Sequence, residues 1–151
     1  TDPVVNTFNP SQVTCSVEEN FDGTTKTNVN VENTGDIPAF IRVKLGTYRT
    51  NDQGQHIGGT ASLPAFTLGT GWVKCGDYYY YTYPVAPEAS PADSLAERIE
   101  LTENYTDVDG GHQSIDVIAE AIQAGPEAAV KAAWGDNFSM SGDNLVVPAG
   151  N

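Results

Sequence analysis

The chain has 151 residues, enough for one domain with a real core. It carries 20 Asp+Glu against 7 Lys+Arg, a net charge of −13. That balance repels phosphate backbones and anionic bilayers and so excludes nucleic acid as a natural partner, and no run is apolar enough for a membrane span. Gly 15 and Pro 9 with 39% hydrophobic residues imply many turns, which favours short strands over long helices.

Residues 1–10 form an extended arm in which Pro3 and Pro10 bracket Val4, Val5 and Phe8. Proline cannot donate to a sheet ladder and belongs at strand ends or edges. Val13, Cys15 and Val17 alternate with polar residues, the pattern of a half-buried strand. Phe21-Asp22-Gly23-Thr24 reads as a turn, and Val29 and Val31 continue as a second strand. After a turn at Asn33-Thr34-Gly35-Asp36, Ala39, Ile41, Val43 and Leu45 share one face with Arg42 and Lys44 on the other. Residues 51–71 are a glycine-rich excursion with a short strand expected near 63–66.

Strand character resumes at Trp72-Val73 and in the tyrosine run 78–83, where alternation places one set of rings in the core and one on the surface. Pro84, Pro87 and Pro91 make a connector, and 95–101 is a further strand with Ile99 and Leu101 inward. Segment 114–124 fits both periods; Gly110-Gly111 before it and its Ile/Val content favour a strand. Residues 126–134 make the one helix, with Pro126 at its first position, Glu127 in the first turn, Gly135 beyond the end, and Val130, Ala133 and Trp134 as its docking face. The expected fold is all-β: a jelly-roll-like antiparallel sandwich over 11–135 with one short C-terminal helix, then a polar tail over 136–151.

Residues that do chemistry are sparse. His56 and His112 read as loop histidines, with no His-Glu-x-x-His pattern for zinc and no Gly-x-Ser-x-Gly elbow. The expectation is a protein that is not an enzyme, with no catalytic residues. Asp107 and Asp109, alternating ahead of Gly110, are weak calcium candidates that compete with a plain solvated turn. Cys15 and Cys75 lie 75 − 15 = 60 residues apart, which is no metal-ligand spacing. If the chain is exported, a Cys15–Cys75 disulfide contributes roughly 4 kcal/mol by loop closure. The alternative is two buried free thiols. No signal peptide is visible after Thr1, so export implies a leader already removed or lying outside this stretch.

Several segments, in order, resemble the camelysin/TasA family of secreted bacterial biofilm-matrix fibre proteins. They are 4–8, 21–26, Val31 through Val43, Gly71-Trp72-Val73 through Pro87, 117–124 and Ala132-Ala133-Trp134-Gly135. Each is weak alone; the ordered set is specific and spans most of the chain. The resemblance implies a jelly-roll sandwich secreted by a Gram-positive cell to its surface or biofilm matrix. It further implies self-assembly into a homopolymer, with other matrix components as further partners. In such fibres the N-terminal segment of one subunit can complete a sheet of the next, which makes Val4, Val5 and Phe8 the expected subunit interface. Camelysin-like members are described as metallopeptidases; without a zinc motif that activity does not carry over, and the two cysteines depart from the family's cysteine-poor pattern. The second reading is a monomeric adhesin using the tyrosine face to bind glycans or a host protein, and a secreted metallopeptidase is third.

Overall fold

The computed structural model of the chain describes residues 13–22, 25–51, 53–55, 57, 63–101 and 112–149. The chain folds as an all-β sandwich with one short helix. One sheet holds three strands: β1 (Cys15–Phe21), β2 (Thr25–Asn33) and, after a long excursion, β6 (Ala96–Glu100), in the order β1-β2-β6. The other holds β3 (Ala39–Thr50), β4 (Trp72–Cys75), β5 (Tyr78–Tyr81) and β7 (His112–Gln123), in the order β4-β5-β3-β7. All pairings are antiparallel.

The strands follow from β-branched and aromatic residues broken by turn formers. At the β1–β2 turn, Asp22 Oδ1 accepts a hydrogen bond from Thr25 N at 2.8 Å, the local bond that makes Asp a turn residue. β3 and β7 pair without a break from Ala39↔Gln123 to Thr50↔His112. The ambiguous segment 114–124 is therefore strand. Its Ile115 meets the core and its helical alternative would have forfeited twelve residues of ladder. No strand forms at 63–66; Leu68 instead makes a single bridge to Ala96.

Val29, Val31, Ile41, Val43, Trp72, Tyr79, Tyr81, Leu95 and Ile99 fill the space between the sheets. Each such side chain contributes about 1.5–3 kcal/mol through burial. Asn33 is as buried as they are and fixes the chain path beside them. Its Nδ2 donates to Ile37 O at 2.9 Å and Val85 O at 2.8 Å, and its Oδ1 accepts from Gly35 N at 2.9 Å. Its backbone N–H bonds Ala89 O, and its carbonyl accepts from Glu88 N, both at 2.8 Å.

The C-terminal region departs from the expected tail. Beyond a cis Gly125–Pro126 peptide comes α1 (Glu127–Trp134), then a hairpin of β8 (Ser139–Ser141) and β9 (Asn144–Val146). Pro126 is the helix N-cap, in extended conformation, rather than its first helical residue. Eight residues cannot hold a helix unaided. Docking supplies the difference: Val130, Phe138 and Leu145 are buried with Phe40 and Tyr80 on the outer face of the four-stranded sheet, forming a second, smaller core. Trp134 packs against it, while Ala133 points to solvent. Leu145 N donates to Thr82 O at 2.8 Å, Met140 N to Glu127 Oε2 at 2.8 Å, and Lys131 Nζ to Phe138 O at 2.6 Å. Residues 136–149 are thus the third layer of the fold. Among the described residues no helix is long and apolar enough to cross a membrane.

Candidate functional site

The two ends of the sandwich differ, and the difference defines the site. At the β4/β6 end the core is sealed. Leu63, Phe66 and Leu68 pack onto it, and Gly69 N donates to Leu95 O at 3.0 Å. Gly69 lies so close to the Ser94 carbonyl that a Cβ there would stand 1.8 Å from its oxygen. Trp72 Nε1 donates to Asp93 O at 2.8 Å, and Tyr81 OH accepts from Ala92 N at 3.3 Å.

At the other end β1 packs beside β7, and the apolar side chains along the seam between them are only partly covered. Cys15 and Val17 of β1 point inward yet are only half-buried, and so are Val117, Ala119 and Ala121 of β7. Phe21, at the end of β1, is 52% exposed, with the Lys26 ammonium 4.9 Å from its ring centroid. Lys26 also pairs with Glu19. Among the described residues no strand pairs with the outer edge of β1 or of β7. The β7 edge is twelve residues long, about 40 Å of backbone at ~3.3 Å per residue. An edge of that length, with apolar side chains half-covered beside it, is a template for strand addition. Ile118, 47% exposed on the outer face, adds apolar surface to the same edge.

The outer face of β7 is held by charge. Arg42 Nη2 lies 2.6 Å from Glu120 Oε1, and its guanidinium stacks 3.9 Å from the Tyr78 ring and 5.1 Å from Trp134. Tyr48 OH donates to Asp116 Oδ1 at 2.7 Å. These contacts fix β7 against β3, and among the described residues nothing pairs with its other edge. Burial pushes the Cys15 thiol up, and the Glu120 carboxylate adds to the effect, so the thiol facing the seam is neutral.

The expected interface residues Val4, Val5 and Phe8 lie outside the described residues, as do the calcium candidates Asp107 and Asp109 and also His56. What the structure adds is where that arm joins the fold: it leads into β1, at the open seam. His112 opens β7 rather than sitting in a loop. Among the described residues no three His, Cys, Asp or Glu side chains converge as a metal site.

The disulfide expectation is corrected. Cys15 and Cys75 are both free. They sit on edge strands at opposite ends of the sandwich, β1 and β4, and Cys75 faces the outer core while Cys15 faces the inner one. The tyrosine expectation is half right. Tyr79 and Tyr81 point inward, but Tyr80, on the outward set, is also buried. The Trp134 ring meets it edge-on at 5.3 Å and Phe138 at 5.0 Å. Tyr83 is the member left substantially exposed, at 45%.

The arm lies outside the described residues, and the seam went unread in the sequence. The signal was present as the inward row Val117, Ala119, Ala121, whose small side chains cover less of the core than the valines and isoleucines of β3. No family model, curated protein or solved structure matches the chain.

Proposed function

We propose that this protein is a structural subunit of extracellular filaments, secreted to the cell surface or biofilm matrix. In this reading it polymerises head to tail by inserting its N-terminal strand into the β1/β7 seam of the next subunit. The observation that carries the reading is the seam itself: a twelve-residue edge of β7 that no strand pairs with among the described residues, flanked by half-buried apolar side chains, beside the strand β1 that the arm precedes in sequence. Val4, Val5 and Phe8 would supply the apolar side chains the seam lacks, and β7 the backbone ladder. An arm from one copy entering the seam of the next is a heterologous contact, and in this reading successive copies do not close on themselves, which gives filaments rather than rings. The ordered resemblance to secreted fibre proteins points the same way.

Electron microscopy of the full chain and of a variant lacking residues 1–10 tests this. Filaments from the full chain that vanish with the arm support strand donation. Filaments that survive the deletion move the joint elsewhere. A chain that forms none at any ionic strength overturns the reading.

A further inference from the structure

Outside the seam, one concave surface stands apart by its charge. Leu63, Phe66, Leu68 and Tyr79 floor a groove of about 380 Å³ that also meets Lys74. It runs on, through Leu63, Lys74 and Tyr79, into a hollow of about 280 Å³ bordered by Lys44 and Asp77. Apolar concavities of this size accommodate an aromatic anchor. The rim holds two of the chain's seven Lys and Arg residues. Among the described residues neither lysine has a carboxylate partner: Lys74 donates to the Gly76 carbonyl at 2.8 Å, and its ammonium lies 5.8 Å from the Tyr79 ring centroid. The other five cations differ: Lys26, Arg42 and Arg98 face Glu19, Glu120 and Glu100, Lys131 is tied to two carbonyls, and Arg49 is also engaged. A cationic rim around an apolar floor, on a molecule of net charge −13, calls for an occupant that is acidic and carries an apolar side chain.

The chain itself presents such an occupant. Residues Glu18, Glu19, Asn20, Phe21 and Asp22 are five consecutive exposed positions, with three carboxylates around a half-exposed phenylalanine. Glu19 is paired with Lys26, and Glu18 accepts from Ser90 Oγ at 2.7 Å, so the segment stays net negative. We propose that the Lys44/Lys74 groove is a second self-association site. It receives the Phe21 segment of another copy, with the ring on the Leu63–Tyr79 floor and the carboxylates of 18–22 against the two lysines. This contact stands apart from strand donation: it uses the exposed side chains at the end of β1 and the groove rather than the inward row and backbone edge of the seam, and it needs no arm. Complementary charge at such a site fixes orientation and partner choice as much as affinity.

The test uses the full chain, mixed half and half from natural-abundance and 15N-labelled protein, and treated with a zero-length carbodiimide that couples lysine amines to carboxylates. Mass spectrometry of mixed-isotope peptides reports only links between copies. The expected result is intermolecular links from Lys74 or Lys44 to Glu18, Glu19 or Asp22. They should fall at least fivefold in Phe21→Ser, which leaves net charge unchanged, and in Lys44→Gln/Lys74→Gln. Links confined within one chain, links to carboxylates elsewhere, or an unchanged pattern in Phe21→Ser would each overturn the proposal. The outcome separates from that of the filament reading. These links in a chain that forms no filaments leave the groove site standing, and filaments without these links remove it alone.

Discussion

At the scale of single residues, Asn33 is where polar and apolar requirements meet. It is fully buried, and its amide makes three hydrogen bonds, two within the β2–β3 turn to Ile37 O and Gly35 N and one across to Val85 O of the connector. Alanine there would strand two carbonyls and an N–H without water, each worth about 1–3 kcal/mol when left unpaired. Asn33→Ala should therefore lower stability by about 3 kcal/mol, read as a fall in the urea midpoint at unchanged slope; a loss under 1 kcal/mol would show that water replaces the amide. A second residue-scale expectation concerns alkaline pH. Burial raises Cys15, with Glu120 adding to it, and burial raises Tyr79, Tyr80 and Tyr81, opposed at Tyr80 by Arg42 and at Tyr81 by the Ala92 N–H. For these acids a raised value means that the fold keeps protons the unfolded chain releases. Their stabilisation is complete below the ordinary thiol and phenol values, and it declines as pH climbs above about 8.5 for Cys15 and about 10 for the tyrosines. Urea midpoints should fall progressively above about pH 9, and tyrosinate absorbance from the buried rings should appear together with unfolding. Buried-ring tyrosinate in a chain still folded would contradict this.

At the scale of elements, the helix and hairpin decide how the four-stranded sheet is used. Without them Phe40 and Tyr80 would face water, and the sheet would present an aromatic platform. With them, Trp134, Phe138, Val130 and Leu145 close that face. Trp134→Ala should remove about 3 kcal/mol, the lower end of the range for aromatic truncation, because Trp134 is only half-buried. It should also make the 135–149 segment the first site of limited proteolysis; a cut pattern unchanged from wild type would mean the hairpin holds without the ring. Strands were legible in the sequence wherever period two was clean, as at Ile41, Val43 and Leu45. Ile99 and Leu101 are buried as their alternation indicates; what alternation does not show is that Ala96 is buried too, on a stretch facing Asn28 of β2, whose φ is +54°. The hairpin was illegible for another reason. Its strands are three residues each, and only Leu145 is buried, so no periodic signal exists in 139–146. The expected arm rests on its own residues alone, whereas the seam arises from two strands about a hundred residues apart, and packing at that distance leaves no local trace.

At the scale of the whole molecule, charge governs how copies meet. Two chains of −13 repel as they approach, and the Debye length shrinks from about 30 Å at 0.01 M salt to about 10 Å at 0.1 M. Strand donation is a backbone and apolar contact, so salt should remove the repulsion without weakening the joint. Filament growth followed by light scattering should accelerate by at least tenfold between about 10 and 150 mM NaCl. Divalent cations should match that effect at lower ionic strength by neutralising exposed carboxylates, and pH near the carboxylate range should do so by protonating them. The Lys44/Lys74 groove predicts a departure from this trend. Its ion pairs are screened as the repulsion is, so intermolecular cross-links there should peak at intermediate salt and fall toward 1 M while filament mass stays on its plateau. Growth indifferent to ionic strength would mean that the acidic surface plays no part in assembly. Cross-links and filament mass rising in parallel all the way to 1 M would mean that the groove contact is held by its apolar floor, with the lysines as bystanders.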